Sequence, residues 1–271
     1  YCNHFIDFDE HTGKLTAESG ITLREILTVI VPKGWFLPVT PGTSYVTLGG
    51  AIASDVHGKN HHIAGTFGQH VTSLNLVLGN GKLITASKHE NADLFHATCG
   101  GMGLTGVIIS ATIQLISIRS SYINQKTIKA DCIESACELF EDNNNATYSV
   151  AWIDCLAKDK NLGRSILMLG EHAKEGGLEI ELKEPISVPF NTPPALLNSM
   201  TMKTFNTAYW HKAKDKPHDT VPLMPYFYPL DAIGNWNRIY GKAGFLQFQC
   251  VIPKSDGVAN MRKLLTKVAN S

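Results

Sequence analysis

Apolar and polar residues alternate along this chain with two different periods. In "HFIDFDEHTGKLTAESG" every second residue is apolar on both sides of residues 11–13, which predicts two strands joined by a turn. In "TLREILTVIVPKG" the apolar residues recur every three or four positions, which predicts a helix. Thr22 and Glu25 have the spacing of a capping box, and Pro32 with Gly34 ends the helical pattern.

The same two periods continue to about residue 118. "VTSLNLVLGNGKLITAS" predicts a hairpin, because Asn80-Gly81 is a favoured pair for a tight turn between two apolar runs. "ENADLFHATCG" predicts a short helix, and "GVIISATIQLISI" predicts a long β-branched strand. The composition changes at residues 119–124, which we interpret as a domain boundary.

Beyond residue 124 the pattern predicts a second region of helices and strands. "ADCIESACELFED" reads as an amphipathic helix, whereas "ATYSVAWIDCL", "GRSILMLGEHA" and "GFLQFQCVIP" read as strands, the last with alternating sides. A helix is predicted from Ser255 to the end. The Pro-rich passage from about residue 184 to 229 is predicted to be irregular, forming a lid or loops that face a substrate. The predicted fold class is therefore α+β, with domains at residues 1–119 and 120–271.

Composition and charge exclude several classes of protein. Of the 271 residues 44% are hydrophobic, so the chain has ample material for a core. Lys plus Arg and Asp plus Glu number 24 each, a balance that argues against nucleic acid as a partner. The apolar runs are too short for a transmembrane segment. The six cysteines have no paired spacing, which is typical of a reducing compartment, and we expect them to be small buried hydrophobes.

A glycine motif is the first candidate for chemistry. "GMGLTG" matches the dinucleotide fingerprint G-x-G-x-x-G at Gly101, Gly103 and Gly106. That fingerprint requires a strand before it and a helix after it, and here the order is reversed. A nicotinamide site is therefore disfavoured. Four glycines in "GGMGLTG" are still more than a plain turn needs, which indicates backbone that a ligand approaches.

A histidine cluster lies in "GGAIASDVHGKNHHIAGTFGQH". A metal site is disfavoured, since the cluster occupies a Gly- and Asn-bearing loop and no acidic residue or cysteine stands at ligand spacing. We interpret His61, His62 and His70 as structural hydrogen-bonding residues. His57 is different, because it follows the stretch of smallest residues, where an imidazole could reach a bound molecule. The chain has no G-x-S-x-G, so a hydrolase triad has little support.

These segments together resemble a known family. "PGTSYVTLGGAIASDVHGKNHHIAGTFGQHVTSLNLVLGNGKLITAS" and "ENADLFHATCGGMGLTGVI" are similar to the second lobe of the PCMH-type FAD-binding domain in the vanillyl-alcohol-oxidase superfamily. The resemblance is strongest to the decaprenylphosphoryl-β-D-ribose 2-oxidase group, with "HGKNHH" as its most specific part. It continues through "YSVAWID", "FYPLDAIGNWNR" and "GFLQFQ" into part of an antiparallel-sheet-plus-helices substrate domain.

The resemblance implies a cofactor and a set of site residues. It implies that FAD is bound by Gly42, Thr43, Thr47, Leu48, Gly49, Gly50, Ser54, Asp55, Val56, His57, Gly58, Gly101, Gly103, Gly106, Val107 and Ile108. His57 and Lys59 are the implied catalytic residues, and no metal is expected. The implied substrate-binding residues are Lys59, Trp152, Asn237 and Gln249, to which we add Gln247 because it would share the strand face of Gln249.

The resemblance also implies a reaction: oxidation of a secondary alcohol on a lipid-phosphate-linked sugar, as half of an epimerase in cell-wall precursor synthesis. It implies a short-chain reductase as partner and a cytoplasmic location at the periphery of the inner membrane. Compared with the family pattern, the chain is expected to be a fragment without the N-terminal flavin lobe and the C-terminal segment. Two alternatives stay open: an alditol or aldonolactone oxidase of the same superfamily, and a non-catalytic remnant of the flavin domain.

Overall fold

The computed structural model describes residues 2–182, 185–193 and 196–270. The chain forms two compact units. The first comprises Tyr1–Ile123, His172–Lys183 and Val221–Ala232, and the second comprises Asn124–Glu171, Glu184–Thr220 and Ile233–Ser271. A single boundary after residue 119 therefore does not describe the division, because two later segments return to the first unit.

Strands and short helices alternate through both units. The strands are β1 (Phe5–Asp9), β2 (Lys14–Glu18), β3 (Trp35–Phe36), β4 (Val71–Val77), β5 (Leu83–Ser87), β6 (Val107–Gln114), β7 (Ile116–Ser117), β8 (Tyr122–Ala130), β9 (Tyr148–Ile153), β10 (Ser165–His172), β11 (Ile186–Ser187), β12 (Lys216–Pro222) and β13 (Ile233–Gly234). The α-helices are α1 (Leu23–Ile30), α2 (Leu48–Ala53), α3 (His61–Ala64), α4 (Ala92–Thr98), α5 (Ile133–Asp142), α6 (Ser199–Lys212), α7 (Leu223–Phe227) and α8 (Gly257–Ala269). The mixture confirms the α+β class.

The first unit is built on a five-stranded antiparallel sheet with the order β1-β2-β6-β4-β5. Both predicted hairpins are present, and the pair Val77↔Leu83 closes the second one around the Asn80-Gly81 turn. The long strand β6 lies between the hairpins, with Glu18↔Ser110 and Lys14↔Gln114 in register. The hairpin turn of β1 and β2 therefore lies at the far end of β6 from Val107.

Helix α1 covers the core of this unit. The predicted capping box is confirmed: the Thr22 side chain accepts from the Glu25 N–H, and the Glu25 carboxylate accepts from the Thr22 N–H. Leu23, Ile26, Leu27 and Ile30 are fully buried, as the apolar spacing predicts. A 3₁₀ turn at Val31–Lys33 follows, and Gly34 ends the element with a left-handed φ of 80°.

The small residues after Thr47 form a helix where a loop was predicted. Thr47 caps α2 by accepting from the Gly50 N–H at 3.1 Å, and Leu48, Ala51 and Ile52 are buried. A Cβ on Gly49 would lie 2.8 Å from the Ser19 Cβ, so glycine lets α2 pack closely against the chain that follows β2. Close packing against the protein itself therefore accounts for part of this small-residue stretch.

The second unit is built on the four-stranded sheet β12-β8-β10-β9. Its core brings together Ala130, Ile133, Ala136, Leu162, Leu265 and Ala269. Helices α5 and α8 supply most of these residues, as the predicted amphipathic patterns require. Below α6, the buried Asp154 carboxylate accepts from Arg164 at 2.8 Å and from the Asn206 amide at 2.7 Å. The pairing satisfies a charge that would otherwise be costly to bury.

Two predictions for this half of the chain are wrong. The passage predicted to be irregular contains α6, β12 and α7, although its residues 183–184 and 194–195 lie outside the described ranges. The Asn198 side chain caps α6 by accepting hydrogen bonds from the N–H groups of Met200 and Thr201. The Trp210 side chain near the other end of the helix is buried and so stabilises its packing. Conversely, the described residues 244–253 form no strand. Leu246 and Phe248 are exposed there, since alternation without a neighbouring strand to pair with does not stabilise a strand.

The cysteine prediction also needs correction. All six thiols are free; Cys2 and Cys250 are exposed, while Cys99, Cys132, Cys137 and Cys155 are half-buried. The expectation that the cysteines are small buried hydrophobes is therefore wrong for Cys2 and Cys250, and the other four are only partly buried. Among the described residues no helix is long and apolar enough to cross a membrane.

Candidate functional site

Two glycine-bearing segments of the first unit meet at the C-terminal end of α2. The Gly100 N–H donates to the Ile52 carbonyl at 3.0 Å, and the Met102 N–H donates to the Ala53 carbonyl at 2.9 Å. The Ser54 hydroxyl lies 3.8 Å from the Met102 sulfur. These bonds join the 100–106 turn to the 47–58 segment, so the two stretches singled out from the sequence form one continuous surface.

Several of these glycines are required by the packing of the chain itself. A Cβ on Gly101 would lie 2.1 Å from the Ala97 carbonyl oxygen, and one on Gly106 would lie 2.6 Å from that of Val77. Gly58 meets the Thr40 carbonyl oxygen in the same way, at 2.6 Å. Backbone atoms cannot move aside for a side chain, so packing alone already requires glycine at these three positions, and their contact with a ligand stays a prediction.

Three other predicted glycines have more room on the side of the missing Cβ, with Gly103 the most open of them. A Cβ on Gly103 would meet nothing within 4 Å, and one on Gly42 would meet only the Leu230 side chain, at 3.9 Å. Gly50 is exposed, and its nearest neighbour would be the Thr47 hydroxyl at 3.1 Å. At these positions the absence of a side chain leaves the backbone accessible to a flat or charged ligand.

Exposed apolar side chains border the open glycines. Val107 is 64% exposed, Met102 69% and Leu104 91%. Sequence reasoning identified Val107 but missed Met102 and Leu104. The sequence feature that could have predicted them is the presence of two bulky apolar residues in a glycine-rich turn, because turns exposed to solvent normally carry polar residues.

Other predicted cofactor residues have structural roles in this fold. The side chains of Leu48 and Ile108 are buried in the core, at 0% and 7% exposure. Asp55, at a left-handed φ of 41°, accepts from the Gly68 N–H at 2.7 Å, and the Val56 carbonyl accepts from the Phe67 N–H at 2.9 Å. These bonds hold the 54–58 segment in place.

His57 and Lys59, the predicted catalytic pair, point in different directions. His57 is exposed, its backbone forms a bridge with Thr66, and its ring lies 6.0 Å from that of His61. The Lys59 Nζ instead donates to the Phe227 carbonyl at 3.2 Å, and it lies 5.6 Å from the Tyr226 ring centroid. Burial lowers the pKa of Lys59 to about 8, because the charged amine loses its hydration there.

A second base is buried against the same aromatic cluster. The ring of His172 lies 5.2 Å from that of Phe36 and 6.1 Å from that of Phe227. Burial lowers the pKa of His172 to about 4, since the imidazolium form loses its hydration between two aromatic rings. The imidazole is therefore neutral at physiological pH.

Two of the three histidines expected to bond the local structure, His61 and His70, contact backbone carbonyls. A ring nitrogen of His70 lies 2.9 Å from the Ala64 carbonyl oxygen, and one of His61 lies 3.3 Å from that of Gly58. Across the described ranges, no three His, Cys, Asp or Glu side chains are grouped so that they could hold a metal ion.

The predicted substrate-binding residues other than Lys59 all belong to the second unit. Trp152, on β9, is half-buried with its ring 4.9 Å from that of Tyr209. Asn237, Gln247 and Gln249 are exposed, the two glutamines on the segment that forms no strand. This unit contains a cavity of about 700 Å³, which is lined by residues of β8, β10 and β12 and by Ala146. None of the four predicted substrate-binding residues lines this cavity. Their roles stay predictions.

Comparisons with known proteins agree with this picture. Residues 1–87 match the family model described as FAD binding domain. The chain is 34% identical to decaprenylphosphoryl-beta-D-ribose oxidase of Mycolicibacterium smegmatis, over 99% of the chain and 61% of that protein. The chain is therefore similar to FAD-dependent oxidoreductases, and its residues 1–87 match a FAD-binding domain. It is also 27% identical to human delta(24)-sterol reductase, over 50% of the chain and 26% of that protein. With D-arabinono-1,4-lactone oxidase of Yarrowia lipolytica the identity is 28%, over 45% of the chain and 24% of that protein.

The cofactor of this family is FAD, and the described residues fit it. The chain spans about three fifths (61%) of the length of the mycobacterial relative. Gly42, Gly50 and Gly103 carry no side chain at positions that are not filled by backbone atoms, and Val107, which follows Gly106, offers an exposed apolar surface. A flavin combines a flat ring with phosphate groups, so it suits a surface of accessible backbone N–H groups and small residues.

Proposed function

We propose that this chain carries the second lobe of a PCMH-type FAD-binding domain followed by the N-terminal part of a substrate domain. The protein to which it belongs oxidises a secondary alcohol on a lipid-phosphate-linked sugar. The observation that carries the proposal is the surface where the 47–58 segment and the 100–106 turn meet, with open glycines beside exposed apolar residues. The match to the mycobacterial oxidase, which covers 99% of the chain, supports the substrate class.

The residues of this surface divide the work of holding the cofactor. The backbone N–H groups of Gly42 and Thr43 would donate to oxygen atoms of FAD, while Gly50, Ser54 and Gly103 would provide a contact surface with little side-chain bulk. FAD, when bound, supplies the acceptor for the hydride that leaves the alcohol carbon. The protein contributes orientation and a place for the hydroxyl proton.

His57 and Lys59 are the proposed catalytic residues, with separate roles. The exposed imidazole of His57 lies beside the reacting hydroxyl and orients it. Lys59 binds the phosphate or a sugar hydroxyl of the substrate, and this binding has to compete with its bond to the Phe227 carbonyl. Trp152, Asn237, Gln247 and Gln249 are the proposed substrate-binding residues of the second unit.

The lipid-linked substrate has consequences for partners and location. Oxidation of the sugar to a keto form is half of an epimerisation, so a short-chain reductase completes the reaction. A substrate with a lipid tail also places the protein at the cytoplasmic periphery of the inner membrane. A second candidate activity is oxidation of a free alditol or aldonolactone, which the match to the Yarrowia lactone oxidase favours.

The visible absorption spectrum of the purified protein, before and after anaerobic addition of a polyprenyl-phospho-ribose, tests the proposal. A flavin spectrum that bleaches on addition supports both the cofactor and the substrate class. Bleaching by free polyols alone would replace the substrate class with the second candidate. A protein that carries and binds no flavin would contradict the proposal and leave the non-catalytic remnant.

Matched variants then separate cofactor binding from catalysis. Gly50→Leu and Ser54→Trp are expected to remove flavin, because both positions are exposed on the proposed surface. Gly79→Leu is the control, since Gly79 also faces open space but lies in the β4–β5 turn. His57→Ala and Lys59→Ala are expected to lower turnover with flavin content nearly intact. Equal flavin loss in all four site variants would contradict this division.

A further inference from the structure

The turn that contains Gly42 is held by a carboxylate from a distant part of the sequence. Asp231 accepts three hydrogen bonds from this turn: from the Thr43 hydroxyl at 2.6 Å, the Ser44 N–H at 2.9 Å and the Ser44 hydroxyl at 2.5 Å. Each hydrogen bond to a carboxylate is stronger than one between neutral groups. The conformation of the turn therefore depends on a residue 187 to 188 positions further along the chain.

Neighbours of Asp231 fasten the same segment to the first unit. The Tyr228 hydroxyl lies 2.7 Å from the Thr40 hydroxyl in a buried contact. The Phe227 carbonyl accepts from Lys59, as described above. Residues 221–232, which contain these groups, belong to the first unit, whereas the chain on both sides of them belongs to the second. This segment thus inserts into the first unit and ends at the turn.

The three bonds leave a defined set of donors on the turn. The Thr43 hydroxyl hydrogen points to Asp231, and its oxygen accepts from the Tyr45 N–H at 3.3 Å. Within the described ranges, the backbone N–H groups of Gly42 and Thr43 have no acceptor in hydrogen-bonding position. A Cβ at Gly42 would meet only Leu230. Among the described residues, these two adjacent N–H groups are therefore without an acceptor, on a turn whose Thr43 and Ser44 hydroxyls already bond Asp231.

We propose that Asp231 is the positioning residue for this flavin-contacting turn. By binding Thr43 and Ser44, it holds the N–H groups of Gly42 and Thr43 in the direction that an oxygen acceptor of FAD requires. It acts through the turn and does not touch the cofactor. The inference rests on the proposed function, because it takes the Gly42–Thr43 turn as part of the flavin site.

The chain offers a matched control for this role. Asp9 also accepts three hydrogen bonds within a turn: from the His11 N–H, the Thr12 N–H and the Thr12 hydroxyl. Its turn lies at the end of β6 opposite Val107. Strand β6 has eight residues, so roughly 25 Å separates the two ends. Asp9→Ala removes the same types of bond as Asp231→Ala, without touching the proposed site.

Titration of the purified protein, stripped of flavin, with FAD tests the inference. Asp231→Ala is expected to weaken FAD binding by about tenfold or more and to change the visible spectrum of the flavin that still binds. Asp231→Asn is expected to lose less affinity, because its amide oxygen still accepts from the Ser44 N–H. Asp9→Ala is expected to lower the Tm by a similar amount to Asp231→Ala and to bind FAD like the wild type.

The outcomes separate this inference from the proposed function. If the wild-type protein binds no FAD, the proposed function fails and the inference fails with it. If the wild type binds FAD and the Kd of Asp231→Ala for FAD is within twofold of the wild-type value, Asp231 has no positioning role, although the proposed function stands. Equal weakening of FAD binding by Asp9→Ala would also overturn the role, since it would reduce the effect to general destabilisation.

Hydrogen exchange without flavin gives an independent readout. The Ser44 amide is expected to exchange faster in Asp231→Ala but not in Asp9→Ala, and unchanged exchange in Asp231→Ala contradicts the proposal.

Discussion

The Nζ atom of Lys59 donates a hydrogen bond of 3.2 Å to the carbonyl oxygen of Phe227, at the end of α7. This contact places a lysine predicted to face the substrate against two aromatic rings, with Nζ 5.6 Å and 5.8 Å from the centroids of Tyr226 and Phe227. The amine gains a hydrogen bond and two cation–π contacts, and it loses hydration. The balance lowers its pKa to about 8.

Lys59 is expected to make the stability of the protein rise with pH above about 8. An unfolded lysine has a pKa of about 10.4, so between pH 8 and 10 the unfolded state binds more protons than the folded state. Raising the pH through this window therefore stabilises the fold. Lys59→Met should remove this contribution, measured as a flatter dependence of Tm on pH from 7 to 10. Lys82→Met, at an exposed lysine, is the control and should keep the wild-type slope.

His172 is expected to destabilise the protein in acid. Its pKa is about 4 in the folded state and about 6.5 when unfolded, so the unfolded state binds more protons between these values. The free energy of unfolding should therefore fall as the pH drops from 6.5 to 4. His172→Phe, which keeps an aromatic ring between Phe36 and Phe227, should lose part of this acid sensitivity in urea unfolding at pH 7.5 and 5. The exposed His89→Asn serves as the comparison, and an equal effect of both variants would refute the assignment.

Alanine is expected to be much more damaging at Gly101 than at Gly50. Gly101→Ala would place a Cβ 2.1 Å from the Ala97 carbonyl oxygen, so we expect a loss of about 1–3 kcal/mol or more in the free energy of unfolding. Gly50→Ala would place its Cβ on the exposed side of α2, 3.1 Å from the Thr47 hydroxyl that caps the helix, so a small shift of this hydroxyl offsets the gain in helix propensity of about 0.5–1 kcal/mol. Urea midpoints of the two variants provide the test. A similar loss in both would mean that the close approach at Gly101 is not tight.

The cysteines are expected to react with a thiol reagent in a fixed order. Burial and the nearby Asp55 raise the pKa of Cys99 to about 11, and burial raises the pKa values of Cys137 and Cys155. The thiolate is the reactive form, so Cys2 and Cys250, which are exposed, should label first and Cys99 last. Mass spectrometry after timed alkylation at pH 8 measures the order. Unfolding in guanidinium should make all six reactive, and early labelling of Cys99 would contradict its burial.

Local pattern was sufficient for the elements whose stability is mainly local. The capping box of α1, the hairpin at Asn80-Gly81 and the amphipathic helix α5 formed as predicted, because each depends on residues within one or two turns of each other. The strand predicted at residues 244–253 did not form, since a strand needs a partner that its own sequence does not specify. Helix α6 was missed because a distant group, the Asp154 carboxylate, bonds its Asn206.

The amino-acid sequence by itself determined the α+β character, the two glycine-bearing segments and the similarity to FAD-dependent oxidoreductases, because these reside in residue types at short spacing. Only the tertiary structure decided at which glycines the chain itself fills the place of a side chain. Carbonyl oxygens of other residues fill it at Gly101 and Gly58, whereas Gly42 and Gly103 are open. It also decided that Lys59 lies under Tyr226 and that Asp231 holds Thr43. Both contacts join residues more than 160 positions apart, and such contacts arise from the packing of the whole first unit.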